Sequence, residues 1–173
     1  MLEKSRNDDS ASLLRKHRQL VKTMCHRFNM ADPTQPGLRM NILHEQLNIK
    51  GQGNIKPNFF CSLGYNIYLG ENFHANHNLY INDVYRVEIG NNVMFGPNVI
   101  ISAAITEAAG KQQSKPGLPV KVGNNVWFGG NVSVSAGVSI GDNCVIGAGS
   151  VVKQDIPGNT VAVGNPCRVI KQI

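Results

Sequence analysis

Five histidines could accept protons or bind metal near neutral pH, and all five (His17, His26, His44, His74 and His77) lie in the first 77 residues. The second half of the chain holds no imidazole. His74 and His77 form a two-histidine cluster, but a zinc site takes three or four protein ligands and no third histidine follows, so no metal is expected. The four cysteines, Cys25, Cys61, Cys144 and Cys167, are widely spaced and form no CxxC pair. They read as small buried or surface thiols rather than disulfides or zinc ligands. Basic residues outnumber acidic ones by 17 to 11, and the excess sits in residues 1–60. Its densest stretch, LLRKHRQLVK, reads as the solvated face of a helix, and no nucleic-acid partner is expected.

The elements that must position these groups change character along the chain. Only Val21 occurs before Val84, whereas 16 valines follow from that point. Residues 11–30 place Leu14, Val21, Met24 and Phe28 near one helical face, with Ser10 or Ser12 before it as N-cap. Asp32 and Pro33 end that helix, because a residue preceding proline is pushed out of helical geometry. A second short helix is expected over residues 38–48, before Gly51 and Gly53.

From about residue 61 a six-residue period takes over. Its apolar anchors are Leu63, Leu69, Ala75 and Ile81, then, after a slip of two, Ile89, Phe95 and Ile101. A longer gap follows, and the series resumes at Val122, Phe128, Val134, Ile140, Ile146 and Val152. The position two before many anchors is also apolar (Val87, Val93, Val99, Val120, Val126, Val132, Val138, Cys144). The residue after many of them is glycine. Apolar–polar–apolar alternation is a half-buried strand, and a following Gly or Asn permits a left-handed turn. Each hexad is therefore a short strand plus a corner, and three hexads close one triangular turn of a solenoid. The pattern predicts a rigid all-β prism of about four turns. It divides into an N-terminal helical cap at 1–60 and a solenoid domain at 61–173, with an inserted loop at about 104–119 and a C-terminal tail.

Composition narrows the class further. Gly contributes 18 residues and Asn 20, which suits corners, while aromatics are 6% of the chain, which suits a thin core. Ordinary apolar content excludes disorder, and no run of 18 apolar residues suggests a membrane span. The charged start MLEKSRNDDS has no apolar signal region, so a cytoplasmic protein is expected.

The segments YNIYLGENFHANHN, VEIGNNVMFGPNVII, VGNNVWFGGNVSVSAGVSIGDN, VIGAGSVV and DIPGNTVAVGNPCRVIKQI resemble the hexapeptide-repeat sugar O-acetyltransferases. Within that family they are similar to the maltose, galactoside and nodulation-factor branch. The resemblance implies a left-handed parallel β-helix, a homotrimer with active sites between prisms, acetyl-CoA as cosubstrate and a sugar-like acceptor. It places Gly130 beside the thioester as a backbone oxyanion donor and Ala148 on the pantetheine channel. It places Trp127 at the active-site groove, and Lys153, Arg168 and Lys171 at the nucleotide end, where phosphates need cations. Asn76 and Asp83 match positions around the acceptor.

One part of the family pattern is missing. The family's catalytic histidine, which takes the proton from the attacking hydroxyl, falls at Thr106 in the run SAAITE. Three readings follow. The chain is a non-catalytic trimer that keeps acetyl-CoA binding or acts as a scaffold; or another residue, His74 first and Glu107 second, supplies the base; or transfer survives without the general-base contribution of about 10² to 10⁴ in rate. The leading expectation is an O-acetyltransferase with an atypical or impaired centre. An acceptor such as an antibiotic, an amino sugar or serine is a third class.

Overall fold

A computed structural model describes residues 2–105 and 117–173 of the chain. Two helices lead into a parallel solenoid. Helix α1 spans Leu2–Met30 and α2 spans Pro36–His44. The first helix begins well before the serines expected to cap it, since Leu2, Glu3 and Lys4 are themselves good helix formers. It ends as expected: Asp32 Oδ1 accepts bonds from the Thr34 backbone N–H (2.8 Å) and hydroxyl (2.7 Å), an Asx turn that competes with helix continuation. Val21, Met24, Cys25 and Phe28 bury one face of its second half, while Leu14 stays exposed.

The solenoid strands follow in chain order. The first turn consists of β1 (Asn48–Ile49), β2 (Gly53–Ile55) and β3 (Phe60–Cys61). The second holds β4 (Ile67–Leu69), β5 (Phe73–Ala75) and β6 (Tyr80–Asn82). Next come β7 (Val87–Ile89), β8 (Met94–Phe95) and β9 (Ile100–Ser102), then β10 (Val120–Val122), β11 (Trp127–Phe128) and β12 (Ser133–Val134). A fifth turn holds β13 (Ser139–Ile140), β14 (Val145–Ile146) and β15 (Val151–Val152). The chain closes with β16 (Thr160–Val163) and β17 (Arg168–Gln172), which pair antiparallel.

Every third strand stacks on the same face. One face is β1-β4-β7-β10-β13, the second is β2-β5-β8-β11-β14-β16-β17, and the third is β3-β6-β9-β12-β15. The coil is a left-handed parallel β-helix of about five turns, one more than the hexads predicted. The extra turn lies in residues read as helical cap. Ile49, Ile55 and Cys61 pair with Leu69, Ala75 and Ile81, so they are the true first-turn anchors. Leu63 is buried but lies in a corner outside the strands, a correction to its reading as an anchor. The slip of two residues therefore occurs twice, once in each of the first two corners leading back to the first face.

All thirteen anchors read from sequence are buried, and so are the eight apolar residues two positions before them. The core is one side chain thick. Phe95 and Phe128 from successive turns stack with ring centroids 5.0 Å apart and 17° between planes.

Corner chemistry differs from expectation in one respect. The left-handed residues are mostly asparagines three past the anchor: Asn72, Asn78, Asn92, Asn98, Asn125, Asn131 and Asn143 all have φ between 55° and 67°. Their side chains bond from turn to turn, and Asn72–Asn92–Asn125–Asn143–Asn159 forms one continuous ladder. Most glycines directly after anchors answer a different need. A Cβ on Gly129 would lie 2.5 Å from the Ala148 nitrogen of the next turn, so glycine there permits stacking rather than a special φ.

Helix α1 is clasped to the first turn. Asn29 donates to the Phe59 carbonyl (3.0 Å) and accepts from its N–H (2.9 Å), and Arg27 forms a bidentate pair with Glu45 at 2.7 and 2.8 Å.

Candidate functional site

The residue immediately before each anchor points away from the core. On the second face this builds one outward column: His74 pairs with Met94, Met94 with Trp127, Trp127 with Val145, Val145 with Val161, and Val161 with Lys171. At about 4.8 Å per strand, His74 and Trp127 stand roughly 10 Å apart, and Lys171 lies about 14 Å beyond Trp127. Trp127 is 46% exposed and Met94 48%. Met94 escaped the sequence reading, although it precedes Phe95 as Trp127 precedes Phe128 and His74 precedes Ala75.

The corner joining the second and third faces carries the other groups. Asn76 N–H donates to the Phe95 carbonyl, so Asn76 stacks on Gly96, which in turn stacks on Gly129. One residue on, His77, Pro97, Gly130 and Ala148 occupy equivalent places in successive turns. A Cβ on Gly130 would come 3.2 Å from Pro97, and the Gly130 carbonyl accepts the Gly149 N–H at 2.9 Å. Among the described residues, no hydrogen bond engages the Gly130 N–H, which is therefore available to an external acceptor. Asn76, Gly130 and Ala148 thus share one edge of the prism, beside the column of His74, Trp127 and Lys171. A prism edge with an imidazole at one end, an indole and a free N–H midway and an ammonium at the other suits an elongated ligand with an anionic tail.

Comparison with known proteins gives this edge a context. Residues 119–154 match a family model described as the hexapeptide repeat of succinyl-transferase. The galactoside O-acetyltransferase of Escherichia coli (strain K12) is 41% identical over 156 residues, which cover 88% of this chain and 77% of that protein. Among solved structures, a maltose O-acetyltransferase from Clostridium difficile 630 is 48% identical with a TM-score of 0.88, over 93% of this chain and 88% of that one. A galactoside acetyltransferase in complex with coenzyme A is 41% identical, also at 0.88, over 92% and 82% of the two chains. This chain belongs to the hexapeptide-repeat acetyltransferases.

In this acetyltransferase not every residue read from the sequence joins that edge. Asp83 does not: it is fully buried at the corner between the third and first faces. Its Oδ1 accepts the backbone N–H of Ser62 (2.9 Å) and of Leu63 (2.8 Å), tying the first two enlarged corners together. The reading of Asp83 as an acceptor-binding residue is thereby corrected, because two extra residues per corner leave main-chain donors that a buried carboxylate satisfies. Burial pushes its carboxyl above the ordinary value, and the N–H bonds from Leu63 and Ser62 oppose that. Among the described residues its Oδ2 has no hydrogen-bond partner.

The basic residues divide between faces. Lys153 follows β15 at the far edge of the third face, and Arg168 donates to Gln154 Oε1 at 3.1 Å, beside it. Arg168 itself belongs with Lys171 to β17 of the second face, where it pairs with Val163, so its side chain reaches from the second face toward the third. Thr106 and Glu107 lie outside the described residues, and the base of their loop is closed by a bridge between Ala104 and Gly117. His17 is structural: its Nε2 lies 2.6 Å from the Leu63 carbonyl and its ring packs against Tyr65. His26, His44 and His77 are exposed. Among the described residues, no three His, Cys, Asp or Glu side chains cluster as a metal site requires, and no helix is long and apolar enough to cross a membrane.

Proposed function

We propose that this acetyltransferase moves the acetyl group of acetyl-CoA to a hydroxyl of a sugar or oligosaccharide, at sites formed between the prisms of a homotrimer, with a catalytic centre altered at Thr106. The observation that carries the reading is the prism edge bearing Gly130 and Ala148 beside Trp127, in a chain 41% identical over most of its length to a galactoside acetyltransferase solved with coenzyme A. The acceptor oxygen attacks the thioester carbonyl, the C–O bond forms, and the Gly130 N–H receives the developing oxyanion. The C–S bond then breaks, and the sulfur leaves with a proton as the free thiol of CoA. Trp127 lines the thioester end, Ala148 the pantetheine channel, and Lys153, Arg168 and Lys171 neutralise the phosphates.

Subunit geometry decides the role of His74. Gly130 lies two turns beyond His74, roughly 10 Å along the coil axis, whereas a general base must stand within hydrogen-bond reach of the proton it removes. One prism alone does not bring both groups to one carbonyl. His74 acts as base only across an interface, with Asn76 beside it offering donor and acceptor to the acceptor's hydroxyls. A second reading, favoured by the absence of histidine after residue 77, is a non-catalytic trimer that binds acetyl-CoA.

Release of CoA thiol, measured with a panel of sugars, separates these readings. Turnover by the wild type that disappears in His74→Ala supports the relocated base. A silent wild type that gains turnover in Thr106→His supports the non-catalytic reading. A protein that fails to bind acetyl-CoA sinks both.

A further inference from the structure

We infer that Cys25 and Cys61 form an oxidisable dithiol, closed to a disulfide by a peroxide, that clips helix α1 onto the first turn of the solenoid. Their sulfurs lie 4.0 Å apart, although the residues are separated by 36 positions in the chain. Both partners are held by contacts on either side. One helical turn beyond Cys25, Phe28 meets Phe59 edge-on at 5.9 Å, and Asn29 makes its reciprocal pair of bonds with the Phe59 main chain. Cys61 follows Phe59 by two residues and is anchored in β3, which pairs with β6. The thiols therefore face each other across a fixed helix–strand junction, and about 2 Å of approach separates contact from an S–S bond near 2.05 Å.

An oxidant can reach them. A groove of about 340 Å³ with Lys22 on its rim is lined by Cys25, His26, Asn29, Phe60 and Cys61, and it leads to the half-buried Cys61 with the buried Cys25 behind it. The hydrogen bond between the two sulfurs stabilises a thiolate in the pair, lowering the Cys25 thiol, while the same bond and burial hold Cys61 high. The remaining cysteines are occupied elsewhere: Cys144 Sγ lies 3.2 Å from the Pro157 carbonyl, and Cys167 is buried in the loop between β16 and β17, its N–H donating to the Val151 carbonyl.

The chemistry balances. The Cys25 thiolate attacks a peroxide oxygen, an S–O bond forms, the O–O bond breaks, and the departing hydroxide takes the thiol's proton as water. The Cys61 sulfur then attacks the Cys25 sulfenic acid; the S–S bond forms, the S–O bond breaks, and hydroxide leaves with the Cys61 proton as a second water. Two thiols are oxidised by two electrons and one hydrogen peroxide is reduced. A dithiol reductant reverses the step by exchange. The oxidised clip closes a long loop and fixes the helix that packs on β3.

The test is stoichiometric oxidation of the full chain with hydrogen peroxide, followed by alkylation in denaturant and peptide mapping. The expected result is a fall from four alkylatable thiols to two, a single cross-linked peptide pair containing Cys25 and Cys61, and recovery of four thiols with dithiothreitol. A Cys144→Ser/Cys167→Ser variant goes from two thiols to none, and oxidation raises the Tm of either protein by roughly 5 °C or more. Retention of free Cys25 and Cys61 in the wild type, or a cross-link joining other cysteines or separate chains, overturns the inference. An unchanged Tm despite the cross-link overturns its role as a clip. Because wild type carries the mapping, failure of the variant to fold leaves the answer intact.

Discussion

His74 and Trp127 stand in one outward column of the seven-stranded face, two strands apart with Met94 between them. The only tryptophan of the chain is thus a reporter placed midway along the candidate edge. Acetyl-CoA bound there must change its environment. Titration is expected to alter intrinsic fluorescence saturably, and Trp127→Ala to weaken acetyl-CoA binding by about tenfold, the equivalent of about 1.4 kcal/mol. A tenfold loss in Trp127→Ala with no fluorescence response in the wild type would instead place the indole at a subunit contact.

Neighbouring glycines at the same corner are expected to differ sharply. The methyl of Gly129→Ala would meet the main chain of Ala148 at 2.5 Å, and a backbone neighbour cannot rotate away. Turns four and five must separate, at a cost of about 1–3 kcal/mol. The methyl of Gly130→Ala meets Pro97 at 3.2 Å, a contact that a few tenths of an ångström relieves. Urea unfolding should therefore show Gly129→Ala clearly destabilised and Gly130→Ala within about 1 kcal/mol of wild type. Equal losses would mean that the close approach of the turns does not govern this corner.

How far the sequence disclosed this architecture depends on the residue. Val93, Phe95, Val126 and Phe128 announced their burial because strand alternation and six-residue spacing leave each apolar pair one place to go. Ile49, Ile55 and Cys61 keep the same spacing, yet their hexads contain no valine and follow two helices, so the first turn reads in sequence as part of the cap. A second two-residue slip between Cys61 and Leu69, matching the one between Ile81 and Ile89, was the available signal. Asp83 misled for a different reason. A carboxylate in a corner looks identical in sequence whether it faces a ligand or the main chain of the preceding turn, and only register reveals Ser62 and Leu63 opposite it. Asn76, Gly130 and Ala148 fall on one edge because each lies one or two residues past its anchor, and strand pairing stacks those positions from turn to turn. His74 and Gly130 stand two turns apart in one prism, so the proposed role of His74 as base needs the proposed trimer, whose contacts a pattern within one chain does not encode.

The asparagine ladder separates two contributions at one site. Asn125 has φ of 56° and its side chain bonds to both Asn92 and Asn143. Asn125→Gly keeps the backbone conformation but removes the ladder, whereas Asn125→Ala loses both. The alanine variant is expected to be the less stable by about 1 kcal/mol, the cost of holding a β-carbon in the left-handed region. Thermal or urea unfolding of the pair checks this ordering, and a glycine variant weaker than alanine would contradict it.

Asp83 predicts a pH dependence whose sign is opposite to that of a salt-bridged carboxylate. Burial raises its folded carboxyl above the ordinary value of 3.8, so the folded chain holds this proton more tightly than the unfolded one. Its contribution to stability is then fully present below the unfolded value and is lost as pH rises through the folded value. Asp83→Asn keeps an oxygen for the Ser62 and Leu63 N–H groups and removes the charge. It should match the wild type in acid and become progressively more stable than it as pH approaches 7. Asp83→Ala leaves both N–H groups unpaired and should cost about 1–3 kcal/mol near pH 4. Urea midpoints between pH 3.5 and 7.5 test both. A gap between Asp83→Asn and wild type that stays flat or narrows with rising pH would show that the two N–H bonds, rather than burial, control this carboxyl.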